Sequence, residues 1–330
     1  EEQTDLIRLR SAVRQQSHES WGEHQGGIRD EFFTNRTVIE EGNRVTRTTL
    51  TVGGRTMTST TRREPGLDTI WTTEHLLKDT DDIRAYLELP DEVFAEQVDV
   101  TPLIAEDDAL GDRGIIMVDT EDPLCAAATL LDMQEYTIIA LTEPALFHRL
   151  LEQCATYIHA RTQEVSRLFP GHLWRIFGPE YASEPYLPPH LFEEYVVQYV
   201  DPMVKMIQAH GGYVRLHSHG RLRNILSHIH GMGVDALDPI EPPPHGDMEL
   251  SQVRRQVGEE IVLCGNLEIA DIEHLPPAQF ETVVRRALAE GTSGEGRGFI
   301  LLPTAATYGR RITQQTLHNY ETIVRLATDF

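Results

Sequence analysis

The residues best suited to chemistry sit in five short polar tips, each directly behind a mostly apolar run. His217-Ser218-His219-Gly220-Arg221 follows YVRL, Pro179-Glu180-Tyr181 follows LWRIFG, and the stretch from Glu241 to Asp247 follows VDALDPI. Gly265-Asn266-Leu267-Glu268 follows EIVLC, and Pro303-Thr304 follows FILL. His217 and His219 are two residues apart, so their rings point the same way if strand geometry persists to the tip. Two imidazoles and a carboxylate from the next tip suit a borderline metal, Zn2+ first. In that reading His217, His219 and Glu241 are the ligands, with Glu180 as the substitute third donor. Without a metal, the same pair can be held by hydrogen bonds or can bind a substrate carboxylate. Glu180, Glu241, Glu268 and Arg221 are the candidate catalytic residues. Neighbouring acids raise one another's pKa and so supply a general acid or base. Arg221, opening a helix behind the tight Gly220 turn, offers an anion contact. Asp247 reads as the N-cap of a helical stretch from Leu250. Cys264, behind Ile261-Val262-Leu263, reads as a small buried hydrophobe rather than a thiolate.

Something must bring these tips together. The apolar runs GIIMVDT (from Gly114), LWRIFG, YVRLHSHG, VDALDPIEP, EIVLCGNLE and FILLPT have the pattern of strands buried on both faces. Helical periods lie between them. Phe147, Leu150, Leu151, Cys154, Tyr157 and Ile158 share one face. A second helix runs from about His190 to His210 and should kink at Pro202. A third starts at Pro277 and stops at Gly291, and a last one begins behind Thr313. Six strand–helix units without a mid-chain linker predict a parallel α/β sheet with right-handed crossovers. The expected fold is a single (β/α)8 TIM barrel, whose carboxyl strand ends converge on one rim. No glycine fingerprint follows the early strands, which argues against a dinucleotide-binding open sheet. Two further barrel strands must lie upstream of Gly114. The segment from Thr37 to Arg63 alternates β-branched and polar residues, with turn signals at Glu41-Gly42-Asn43 and Gly53-Gly54. It predicts a hairpin or three-strand meander outside the barrel. The expected organisation is an N-terminal extension over 1–73 and a barrel over 74–330.

Composition narrows the partners. The chain has 330 residues, with 52 Asp+Glu against 29 Lys+Arg, a formal charge of −23. Such a surface repels phosphate backbones and anionic lipids, so nucleic acid and membrane are not expected partners. No apolar run reaches the roughly 18 residues of a spanning helix. EEQTDLIRLR at the start has no signal-like apolar core. Three widely spaced cysteines build no disulfide framework, which together predicts a cytoplasmic protein acting on a small molecule.

HSHGR, then GVDALDPIEP, VLCGNLE, GFILLPT and a final helix with NYETIV together resemble, in order and spacing, the uroporphyrinogen decarboxylase superfamily. The resemblance covers about Glu74 to the C-terminus and implies a TIM barrel. That superfamily includes corrinoid-dependent methyltransferases of the methylcobamide:coenzyme M type. True uroporphyrinogen decarboxylases carry an arginine-rich N-terminal loop and a Gly-His-Gly near the last strand. Here no such loop is visible and Pro303-Thr304-Ala305-Ala306 replaces the motif, which argues against uroporphyrinogen as substrate. The zinc methyltransferases use His-x-Cys and a distant Cys. His217 matches the first ligand, His219 replaces the second, Ala305 stands near the third, and Glu241 would complete the shell. The function expected is a metal-assisted methyltransferase working with a corrinoid, or a corrinoid protein, and a methylated small molecule. The alternatives are a metal-free decarboxylase or lyase on a carboxylated substrate, and a non-catalytic corrinoid- or tetrapyrrole-binding protein.

Overall fold

The structure, a computed structural model, describes residues 13–16, 22–24, 28–67, 69–307 and 312–330. Its contacts form two compact units, Glu1–Leu173 with Gln198–Gly212 and Trp174–Val197 with Tyr213–Phe330.

In the first unit, β1 (Val13–Gln16) pairs in parallel with β8 (Ile115–Glu121). The described residues thus show one of the two strands expected upstream of Gly114. A short β2 (Gly22–His24) runs antiparallel to β7 (Glu96–Val98). The predicted meander is present as β3 (Phe33–Glu40), β4 (Asn43–Val52) and β5 (Arg55–Arg63), all antiparallel. Both turns fall where glycine allows positive φ, at Gly42 (83°), Gly53 (57°) and Gly54 (75°). A fourth strand, β6 (Ile70–Glu74), extends the sheet beyond the sequence expectation. Its five residues are too short and too exposed to show an alternating pattern. The helix α1 (Pro144–Leu168) buries Phe147, Leu150, Leu151, Cys154 and Ile158 on the predicted stripe.

The irregularity predicted at Pro202 falls earlier. Residues 193–197 form a π turn, and α2 (Gln198–Ala209) then carries Pro202 inside it. Proline lacks the N–H that would bond back to residue 198 and its ring crowds that carbonyl. The preceding turn is where the helical ladder is rearranged.

The second unit is a run of strands and helices in sequence order. β9 (Leu173–Phe177), β10 (Tyr213–His217), β11 (Ala236–Asp238), β12 (Val262–Leu267) and β13 (Phe299–Pro303) are successive neighbours in the sheet. The last four pair in parallel. Between and behind them lie α3 (Leu226–Gly231), α4 (Leu250–Val257), α5 (Ile269–His274), α6 (Pro277–Gly291) and α7 (Gln314–Asp329). Pro277 opens α6 where its missing N–H costs nothing. The Thr313 hydroxyl caps α7 by accepting from the Thr316 N–H (3.1 Å). Phe280, Val284 and Leu288 of α6 close on Leu267, Ile269, Ile272 and Leu326 to make the core of this unit. Each such side chain contributes roughly 1.5–3 kcal/mol by leaving water. With this core on its helical side, the sheet delivers its polar tips at the carboxyl ends of parallel strands.

Candidate functional site

The site is built from the ends of β10 and β11. Their register pairs His217 with Asp238 and Arg215 with Ala236. Paired residues in parallel strands face the same side, and Arg215 precedes His217 by two. Arg215, His217 and Asp238 therefore share one face. Asp238 is almost fully buried and accepts from Arg215 Nε (2.6 Å), Arg215 Nη2 (2.6 Å) and His217 Nδ1 (2.7 Å). Burial pushes the Asp238 carboxyl up, but His217 and Arg215 more than offset it, and the group stays below the usual carboxylate range.

The extended geometry persists one residue beyond β10, because the Ser218 N–H bonds to the Asp238 carbonyl (2.9 Å). That is why His219 returns to the face of His217. The two rings stand edge to face, with centroids 4.7 Å apart and planes at 88°. Glu241 serves His219: its Oε1 accepts from His219 Nδ1 (2.9 Å), and its Oε2 from the Gly220 N–H (2.6 Å). A carboxylate only accepts, so each ring carries its hydrogen on Nδ1 and leaves Nε2 uncommitted to a carboxylate. The Glu241 hydrogen bond raises the His219 pKa against its burial. Burial raises Glu241 in turn, but His219 and the Gly220 N–H hold it below its ordinary value.

Glu180 follows β9, behind the left-handed Gly178. It lies within electrostatic reach of both imidazoles, and its Oε2 is buried with no hydrogen-bond partner. Burial raises its pKa, and His217 and His219 offset this only in part, so the site pairs a carboxyl that resists ionisation with an imidazole that resists losing its proton.

The loop carrying Glu241 is tightly constrained. β11 ends at Asp238, before Pro239, which has no N–H for the ladder. The next residue, Ile240, is fully buried at φ 54°, an uncommon conformation for a β-branched side chain. Holding it costs about 1–3 kcal/mol, which the surrounding packing must supply. The Gly246 N–H closes the loop onto the Pro242 carbonyl (3.0 Å). A Cβ at Gly246 would lie 1.8 Å from the Glu241 carbonyl oxygen, with backbone as the obstacle. Gly246→Ala is therefore expected to destabilise the protein by about 2 kcal/mol or more, or to move Glu241 off His219. A denaturant titration reads the first outcome, and a fall in the His219 pKa by NMR reads the second. A variant with wild-type stability and an unshifted His219 would show that the loop gives way freely.

The remaining predicted residues are placed differently. Glu268 caps α5 and pairs with His245 Nδ1 (3.1 Å), a residue not singled out from sequence. Arg221 is exposed in the turn after β10 and does not open a helix, since α3 starts only at Leu226. The reason is Asp247, whose Oδ1 accepts from the N–H groups of Leu222 (2.9 Å) and Arg223 (3.1 Å). Asp247 thus holds this turn across the loop, and α4 is capped instead by Glu249 in a capping box with Gln252. Cys264 is buried, and burial pushes its thiol up to about 12, as suits a packing residue. Thr304 is buried, where its N–H bonds to the Leu267 carbonyl (2.8 Å) and its hydroxyl accepts from the Ile269 N–H (3.2 Å).

The sequence predicts a zinc ion on His217, His219 and Glu241. Among the described residues, no three His, Cys, Asp or Glu side chains are grouped to hold a metal ion. Glu241 is placed at the Nδ1 edge of His219, as the ring's orienting partner rather than a third donor. Sequence reasoning missed Arg215 and Asp238. Their signal was visible as single charges inside otherwise apolar strand runs, YVRLH and VDALDP.

Comparison with known proteins places the chain. No curated protein matches the sequence significantly. A solved methyltransferase from Methanosarcina mazei is similar with a TM-score of 0.59 and 17% identity, covering 79% of this chain and 72% of that one. At that identity the likeness speaks for the fold, the TIM barrel expected from the strand–helix repeat. A D-psicose 3-epimerase structure, 10% identical, covers 76% and 86% at a TM-score of 0.34, too low to argue from. Among the described residues, no helix is long and apolar enough to cross a membrane. The model of the family "Uroporphyrinogen decarboxylase (URO-D)" matches residues 66–308, well over half of the sequence and every strand tip discussed above. The chain belongs to the uroporphyrinogen decarboxylase family.

Proposed function

We propose that this chain is a methyl-transferring enzyme acting on a small methylated molecule, in which His219 and Glu180 supply the proton taken up by the departing heteroatom. The observation that carries this reading is the pairing of an imidazole biased toward its protonated form with a buried, ionisation-resistant carboxyl beside it. A heteroatom that loses its methyl group leaves with the bonding electron pair, and a positioned acid lowers that barrier. His217, fixed by Asp238 and Arg215, orients the leaving group through Nε2. Glu241 keeps the His219 ring in register. The methyl acceptor we assign is a reduced corrinoid, free or carried by a protein, which supplies the nucleophile as cosubstrate. No step is assigned to zinc.

The test is conversion of cob(I)alamin to methylcobalamin, followed by absorbance, with methylated amines, thioethers and aryl ethers as donors. Turnover with one class and its loss in His219→Ala is the expected result. Absence of turnover with every class would overturn the reading. A second reading, a metal-free decarboxylase or lyase, draws on the same protonated His219 as a carboxylate anchor, and release of CO2 from a carboxylated substrate would favour it. Corrinoid binding without any turnover would favour a carrier. Metal content is expected to stay well below one equivalent per chain in protein from zinc-replete medium. About one equivalent, lost in the His217→Ala, His219→Ala double variant, would instead restore the zinc site.

A further inference from the structure

Away from this site, the antiparallel sheet of the first unit sets arginines directly opposite each other twice. The register of β3 against β4 pairs Arg36 with Arg47, and that of β4 against β5 pairs Arg44 with Arg63. Like charges so placed weaken a sheet. Arg44 and Arg47 are three apart on β4, so the two pairs lie on opposite faces. On one face the protein supplies its own counter-charge. Glu40 accepts from Arg47 Nη1 (2.8 Å) and Nη2 (3.0 Å) in a two-point pair. On the other face, Arg63 Nε donates to the Leu67 carbonyl (2.8 Å), and Arg44 makes no hydrogen bond or ion pair among the described residues. Arg44 and Arg63 line a cavity of about 450 Å3 beneath the loop that joins β5 to β6. Ile39, directly opposite Arg44, and Leu67 are its apolar lining, and Ile39 is 71% exposed, so this surface is open to a ligand. Glu64, the acid of the lining, is already paired with Arg62 (3.6 Å). Residues 33–63 hold six arginines and two glutamates in a chain of charge −23, which concentrates positive potential at this end of the sheet.

We infer that this cavity binds a small organic carboxylate with an apolar body, and that its carboxylate takes toward Arg44 the place that Glu40 holds toward Arg47. A planar guanidinium matches a carboxylate at two points, and the ligand's charge relieves the repulsion between Arg44 and Arg63. An apolar body covers Ile39 and Leu67, which a bare anion leaves in water. A cation of the same shape meets the Arg44 charge instead. The volume lies within the range of small-molecule sites. The inference is independent of the chemistry at His219.

Titration of the full chain with benzoate, benzyl alcohol and benzylammonium, followed through the Ile39 and Leu67 methyl resonances, tests it. Benzoate should bind and shift both, benzyl alcohol should bind about tenfold more weakly or less, and benzylammonium not at all. Arg44→Gln, at an exposed position, should weaken benzoate by about tenfold or more. Arg36→Gln removes the same charge from the opposite face and should leave the affinity unchanged, as should the His217→Ala, His219→Ala variant. No shift at millimolar benzoate, equal shifts with benzylammonium, an unchanged affinity in Arg44→Gln, or an equal loss in Arg36→Gln would each overturn the assignment.

Discussion

His219→Ala should reduce turnover by about 10²–10⁴-fold, the usual range for loss of a positioned general acid, while the protein remains folded. The side chain is about one-third exposed (35%), so its removal opens little of the core. The pH profile gives the sharper readout. The Glu241 hydrogen bond raises the His219 pKa, so the protonated form survives to higher pH than in a free histidine. Activity that needs this proton is present at low pH and is lost as pH rises through the raised value. Glu241→Gln keeps the shape and removes the charge, so the alkaline limb should move to lower pH. A limb that stays in place would show that Glu241 does not tune His219. An alanine variant retaining half of the activity would remove His219 from the mechanism.

Asp238→Ala should cost about 3–5 kcal/mol, because it removes the buried carboxylate that both Arg215 and His217 bond. Denaturant unfolding measures the loss. The control is the double replacement Arg215→Met, Asp238→Leu, which removes both charges and should recover much of the stability. Recovery in the double variant with activity still absent would separate the structural role of the pair from its hold on His217. A double variant as unstable as the single one would show that packing, not charge, is what Asp238 supplies. The sign of the pH dependence also follows. Asp238 has a depressed pKa in the folded chain, so its contribution is present above the ordinary aspartate value. It is lost as pH falls through the depressed value. His219 works the other way, contributing below the ordinary histidine value and losing that contribution as pH rises through its raised value. The site therefore adds most to stability in the mildly acidic window between them. The Asp238→Ala protein should show a flatter acid limb than the wild type.

Strands buried on both faces are written as unbroken apolar runs, and helices as apolar stripes ended by Pro, Thr and Gly. β8 to β13, α1, α6 and α7 were therefore legible from the chain alone. So was the convergence of Glu180, His217, His219 and Glu241, because parallel strands all deliver their carboxyl ends to one side. These features depend on periodicity and on chain direction, which a sequence carries explicitly.

Partnership was not legible. That Glu241 orients His219 and Asp238 holds His217 depends on the register of β10 against β11 and on the buried turn at Ile240. A shift of one residue would send every one of these side chains to the opposite face. Asp247 shows the same limit. From sequence it caps the helix that follows it, yet in three dimensions its carboxylate meets the Leu222 and Arg223 amides 25 and 24 residues away. A short polar side chain takes whichever unsatisfied N–H lies nearest in space. Only the folded chain decides which that is, and for the same reason only the folded chain distinguishes a third metal donor from the hydrogen-bond partner of a histidine.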